Sequence, residues 1–158
     1  MKRFTPMAVP IFLGTGLSQG ARAQVASPTL RAEIQAFVKS YTDAANRADA
    51  TAYVEHYKQS PDLLTVNDGV ITRGWNALKD DANQMLGTEG AFKISMGAID
   101  VVPLSPGRAL AIGPFVMTLN TQQGPVQMRG AMTLVLEKAG TKWLIIHDHT
   151  SAAPANPK

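Results

Sequence analysis

Lys142-Trp143-Leu144-Ile145-Ile146-His147-Asp148-His149-Thr150-Ser151 reads as a β-strand, and the way its side chains fall determines where chemistry should be sought. Successive side chains of a strand point to opposite faces. Strict alternation puts Trp143, Ile145, His147 and His149 on one face, with Leu144, Ile146, Asp148 and Thr150 on the other. The first face starts apolar and ends in two imidazoles. Two of the chain's three histidines lie here, so acid–base, anion or metal chemistry is expected here first.

Working outward, Val126 to Glu137 forms the preceding strand and Ala139-Gly140 the turn between the two. Ala109 to Leu119 is another strand, in which Gly113-Pro114 predicts a bulge or sharp bend. Phe92 to Val102 is a fourth, closed by Pro103 and a Ser105-Pro106-Gly107 turn. Nearer the N-terminus the period changes. Ser27-Pro28 is an N-cap and first helical residue, and Leu30, Ile34, Phe37, Val38, Tyr41 and Ala45 give one apolar stripe ending near Arg47. Asp49 caps a short second helix through Tyr57, stopped at Ser60-Pro61. Leu63 to Val66 and Val70 to Thr72 flank Asn67-Asp68-Gly69 as a hairpin. Trp75, Leu78, Ala82 and Met85 form a third helix, ended by Gly87. Helices followed by a run of antiparallel strands make an α+β domain.

Residues 1–23 are set apart from this domain. Met1-Lys2-Arg3 is a basic start, Met7 to Gly14 a short apolar run, and Ala21-Arg22-Ala23 a small-x-small cleavage signal. Together they read as a secretory signal peptide, leaving 24–158 as a periplasmic or secreted domain with no membrane attachment after leader removal. The pI of 9.3 is misleading, because Lys2, Arg3 and Arg22 are three of the 15 basic residues. Removing them leaves 12 Lys and Arg against 12 Asp and Glu, so no basic surface argues for a nucleic-acid partner. There are no cysteines, which excludes disulfides and thiol chemistry. A metal held by His147 and His149 would need a third ligand such as His56, Asp68 or Asp100. No spacing calls for one, and neither a metal nor another cofactor is expected.

The segment Gly140 to Ser151, with Met132 to Lys138 before it, resembles the closing strands of SnoaL-like proteins in the nuclear transport factor 2-like superfamily. It is also similar to the association domain of calcium/calmodulin-dependent kinase II. The resemblance implies a cone-shaped single domain, with three N-terminal helices packed on a curved, mainly antiparallel sheet, commonly assembled as a homodimer. Tyr41-Thr42-Asp43-Ala44-Ala45-Asn46-Arg47-Ala48-Asp49 resembles the first helix of ketosteroid isomerases, where a Tyr donates to the developing oxyanion. Thr65-Val66-Asn67-Asp68 resembles the segment carrying their proton-shuttling Asp. The second oxyanion acid has no counterpart, since Gly130-Ala131-Met132-Thr133 holds no carboxyl group. Arg129 stands near where related domains place an Arg that holds a carboxylate.

Tyr41, Asp68, His147 and His149 are therefore the candidate acid–base residues. Tyr53, Trp75, Met96, Met117, Arg129 and Met132 are candidates for contacting a ligand, the methionines giving an adaptable apolar wall. The leading expectation is an exported domain that holds a small, mostly apolar ligand in the cone. An isomerase or hydratase using Tyr41 with Asp68 or a histidine is the second, and a homo-oligomeric association module the third. Tyr41 and Asp68 in one cavity would favour the enzyme. Mass spectrometry of exported protein should find an N-terminus at or near Gln24; cytosolic protein retaining Met1 would refute the leader.

Overall fold

Local chemistry sets the helix ends. In the computed structural model, which describes residues 25–87, 90 and 92–154, α1 spans Pro28–Asn46. The Ser27 hydroxyl accepts from the Leu30 N–H at 3.1 Å, and Pro28 opens the first turn where its missing N–H is harmless. Asp49 accepts from the Ala52 N–H at 2.9 Å and caps α2 (Ala50–Val54), which is shorter than the stretch to Tyr57 expected from the sequence. The third helix, α3, spans Trp75–Met85 after Gly74, whose φ of 83° suits a residue without Cβ. The leader read over residues 1–23 lies outside the described residues. Among them, no helix is long and apolar enough to cross a membrane.

Seven strands form one sheet in the order β2-β1-β7-β6-β5-β3, with β4 also paired to β5. They are β1 (Leu64–Asn67), β2 (Val70–Arg73), β3 (Phe92–Met96), β4 (Asp100–Ser105), β5 (Arg108–Thr121), β6 (Gly124–Ala139) and β7 (Lys142–Pro154). All pairs are antiparallel except β1 with β7, so the sheet is mixed. Between β1 and β2, Asp68 and Gly69 both have positive φ, the two-residue turn whose twist matches a hairpin.

Two expectations fail in this sheet. The single strand expected over Phe92 to Val102 is two, because Gly97 to Ile99 leaves the ladder. β3 pairs with the second half of β5 and β4 with its first half, and the exchange falls opposite Gly113-Pro114. The β5–β6 register runs unbroken through Gly113-Pro114, so of the bulge or sharp bend expected there no bulge forms. A Cβ on Gly113 would come 2.7 Å from Ile99 Cδ1, so this glycine makes room for the crossing between β3 and β4.

The register shift that matters lies elsewhere. Val135 pairs with His147, but Leu136 pairs with Ile145, so Ile146 is an extra residue in β7. The extra residue reverses the alternation. Trp143 and Ile145 face the core, and beyond Ile146 it is Asp148, Thr150 and Ala152 that continue that face, paired with Leu134, Met132 and Gly130. The single face expected for Trp143, Ile145, His147 and His149 therefore does not exist. The core-facing rows of β5, β6 and β7 join the apolar stripes of the helices in one cluster that includes Ile34, Val38, Leu78, Phe115, Leu134, Leu136 and Ile145.

Gly130 is the tightest point of that surface. A Cβ there would collide with the Ser151 carbonyl and lie 2.5 Å from the Phe115 ring. Gly130→Ala should cost about 1–3 kcal/mol through overpacking, read as a melting temperature lower by several degrees. An unchanged melting temperature would show that β7 yields easily at Ser151.

Candidate functional site

Asp148 is 3 % exposed, on the core face of β7 between Leu134 of β6 and Thr65 of β1. Its Oδ2 accepts a hydrogen bond from the Tyr57 hydroxyl at 2.5 Å. Oδ1 has no partner. The Tyr57 hydroxyl also meets that of Tyr41 at 2.8 Å and that of Tyr53 at 3.2 Å, and Tyr41 and Tyr53 meet at 2.7 Å. Three buried phenols from α1, α2 and the segment after α2 thus converge on one carboxylate.

Burial pushes the Asp148 carboxyl above the ordinary carboxylate range, and the Tyr57 hydroxyl, His147 and the Val66 N–H offset only part of this. Burial likewise drives the tyrosines up, Tyr53 to about 12, with the Asp148 charge adding to the effect. Tyr41 and Tyr57 are raised well above 10 for the same leading reason, reinforced by the neighbouring phenols. The phenols are donors that keep their protons. Asp148 is the member of the cluster whose protonation changes most readily.

The cluster forms one end of a cavity of about 260 Å³. Tyr41, Tyr53, Thr42 and Asp148 line the polar end, Ile94, Phe115, Met85, Met117 and Met132 the apolar wall, and Asn67, Asp68 and Thr150 further polar positions. Tyr57 does not line it and stands behind Asp148. Asp68 is exposed, and its Oδ1 accepts from the Ala152 N–H at 2.7 Å while its own N–H donates to the Thr150 carbonyl at 3.0 Å. That ties the β1–β2 turn to the end of β7.

Of the candidates read from the sequence, Tyr41, Asp68, Tyr53, Met117 and Met132 share this cavity. His147 and His149 do not. His147 bonds through Nδ1 to the Leu64 carbonyl at 2.9 Å, and His149 is exposed, because the extra Ile146 turns both to the outer face. His56 bonds to the Ala52 carbonyl and the Ser40 hydroxyl. Arg129 is exposed on the outer face of β6, paired with Val116 and Ala153. Met96 packs against the core without reaching the cavity. Trp75 donates to the Val54 carbonyl and lines a separate groove beside Pro61. Among the described residues no three His, Asp or Glu side chains gather to hold a metal ion.

Asp148 and Tyr57 are what sequence reasoning missed as site residues. Asp is disfavoured inside strands, so an Asp amid a strand as apolar as Leu144-Ile145-Ile146 was the signal available.

The SnoaL-like domain family model matches residues 34–156. Among solved structures, a nuclear transport factor 2-like protein of unknown function from Shewanella oneidensis is 26% identical, with 79% of this chain and 99% of that one covered at a TM-score of 0.62. A candidate calcium/calmodulin-dependent protein kinase II association domain from Xanthomonas campestris is 22% identical over 78% of this chain and 88% of that one, TM-score 0.67. A candidate scytalone dehydratase from Novosphingobium aromaticivorans has the same fold at 9% identity, over 80% and 88% of the two chains, TM-score 0.69. A search of curated proteins found no match.

A carboxyl raised on folding binds protons more readily in the folded than in the unfolded chain. Its contribution is fully present below the unfolded value near 3.8 and is lost as pH rises through the folded value. Asp148→Asn removes this dependence. Thermal melts from pH 4 to 8 should show the stability difference moving in the variant's favour as pH rises, by about 1.4 kcal/mol for each tenfold gain in proton affinity on folding. A difference that stays constant with pH would mean that Asp148 titrates normally.

Proposed function

Because the chain belongs to the SnoaL-like domain family, we propose that it is an acid–base enzyme of the isomerase or hydratase type, acting on a small, mostly apolar molecule. The observation that carries this reading is the unpartnered Oδ1 of a buried Asp148 that lines an apolar cavity. An unsatisfied buried polar atom costs about 1–3 kcal/mol. A protein that keeps such a group in a cavity, with a shifted protonation equilibrium, has the arrangement typical of a proton-exchanging site. Tyr41 and Asp68 in one cavity also favour an enzyme over a pure binding module. A fold shared with a candidate scytalone dehydratase accommodates such chemistry.

In this reading ionised Asp148 takes a proton from carbon beside a carbonyl, and the same carboxyl returns it. Tyr41 or Tyr53 turns its O–H from a neighbouring phenol to the ligand oxygen as negative charge builds there. Tyr57 holds Oδ2 and so leaves Oδ1 as the exchanging atom. Asp148, from β7, takes the place of the carboxyl group that β6 lacks at Gly130 to Thr133. Residues 1–23, as a leader, would put the enzyme in the periplasm or outside the cell.

The test is deuterium exchange. Small cyclic ketones incubated in D2O with the protein should lose their α-proton signals by NMR, and Asp148→Asn should slow this about 10²–10⁴-fold. The double variant His147→Gln, His149→Gln should retain the activity, because neither imidazole lines the cavity. Equal exchange by wild type and Asp148→Asn would overturn the assignment.

A homodimer accompanies this proposal. The outer face, opposite the one that packs with the described helices, carries Leu110, Ile112, Val116 and Val135, all half-buried. A sheet face of this kind is one that antiparallel proteins expose or pair. Light scattering at micromolar concentration should give twice the chain mass; a monomer would refute it.

A further inference from the structure

The cavity's charges constrain what can enter it. Among the described residues its titratable lining side chains are Asp68, Asp148, Tyr41 and Tyr53, with no Lys, Arg or His. The cations and imidazoles that could have joined them are engaged or turned elsewhere. Arg129 and His149 are exposed on the outer face, His147 is bonded to the Leu64 carbonyl, and His56 to Ala52 and Ser40. A carboxylate or phosphate brought to the polar end would lose its water beside an existing carboxylate, with no opposite charge to compensate.

Proton accounting narrows the class further. The three phenols supply three O–H protons for four contacts, namely Tyr41–Tyr53, Tyr41–Tyr57, Tyr53–Tyr57 and Tyr57–Asp148. Every phenolic proton already has an acceptor, and the atom without a partner is Asp148 Oδ1. Ionised, that atom can only accept hydrogen bonds; protonated, it can donate one. A hydroxyl group can answer either state, because it both donates and accepts. A ketone oxygen answers Oδ1 only in its protonated state and otherwise needs a phenolic O–H turned toward it, while an ammonium would give up water for a site whose second carboxylate, Asp68, is at the rim and already bonded to the Ala152 N–H.

Size and wall chemistry complete the picture. A volume of about 260 Å³ corresponds to roughly nine water molecules of liquid. That admits a single ring with short substituents. Phe115 and the thioethers of Met85, Met117 and Met132 form a polarizable wall suited to a flat ring.

We infer that the site accepts uncharged single-ring alcohols, with the hydroxyl at the end of the cavity that Asp148 lines, and refuses carboxylates of the same shape. This rests on the reading of the cavity as a ligand site, and it adds the charge and head group of what binds there.

Three probes with one skeleton test it: benzyl alcohol, benzoate and benzylammonium. The protein, with its methionine methyls labelled with carbon-13, is titrated at pH 7, and the methyl signals of Met117 and Met132 report entry to the cavity. Benzyl alcohol should move both signals and bind at least tenfold more tightly than benzoate. In Asp148→Asn that preference should shrink by most of its value. If circular dichroism shows that variant unfolded, the wild-type ratio alone decides.

Benzoate or benzylammonium binding as tightly as the alcohol would overturn the inference. So would the absence of any shift at Met117 and Met132 with all three probes. The deuterium-exchange experiment separates the two proposals. Exchange that depends on Asp148, together with tight benzoate binding, would sink the head-group assignment and leave the acid–base reading standing. Loss of both results would sink both.

Discussion

The site depends on one extra residue. Ile146 has no partner in β6, and its insertion reverses which side chains of β7 meet the core. Before it, the inward positions are Trp143 and Ile145, which pack as hydrophobic side chains should. After it, the inward positions are Asp148, Thr150 and Ala152, a small and polar series that leaves space. Without the shift, His147 and His149 would point inward where Leu134 and Met132 supply no hydrogen-bond partner. A β-bulge is the usual device for re-aiming a side chain without breaking a sheet. In this chain it separates a packed end of the strand from one that lines a cavity.

Burial of Asp148 must then be tolerated. One oxygen is held by Tyr57, and Tyr57 is held in turn by Tyr41 and Tyr53, so three phenols that would each need a partner satisfy one another. Such a network is cooperative, and it fixes ring positions that apolar packing alone would leave free. The rings are also packed aromatically, with Tyr41 stacked on Tyr53 at 4.9 Å between centroids. The other oxygen of Asp148 is buried without a hydrogen-bond partner among the described residues.

Much of this architecture is legible in the sequence because its signals are local. Ser27-Pro28, Asp49 and Asn67-Asp68-Gly69 act within a few residues, and each cap and turn appears where its chemistry places it. Periodicity likewise places Tyr41 on the core side of α1. What failed depends on partners far away in sequence. The break at Gly97 to Ile99 exists because β5 is long enough to pair with two strands in succession. The extra Ile146 is defined only against the register of β6. Alternation counted from Trp143 had no means of detecting it, and so it favoured His147 and His149 over Asp148. Arg129 was misplaced for a related reason, since an outward position on β6 shows only when Gly130 and Met132 are known to face in.

The two carboxylates of the cavity illustrate how environment divides roles between like groups. Asp68 occupies a positive-φ turn position, open to solvent, with one oxygen bonded to the Ala152 N–H. Its backbone N–H reaches Thr150, so this residue fastens the β1–β2 hairpin to the strand that carries Asp148. Water competes for whatever hydrogen-bonding capacity Asp68 has left. Asp148 is shielded from bulk solvent, with Phe115, Met117, Met132 and the tyrosine rings around the space beside it. Electrostatic interactions strengthen as water is excluded, so the same functional group binds backbone at the rim and, inside, leans on a single phenol with its proton affinity raised. An Asp in a hairpin turn and an Asp in a strand are chemically identical residues. The fold makes the first a fastener and buries the second beside a cavity.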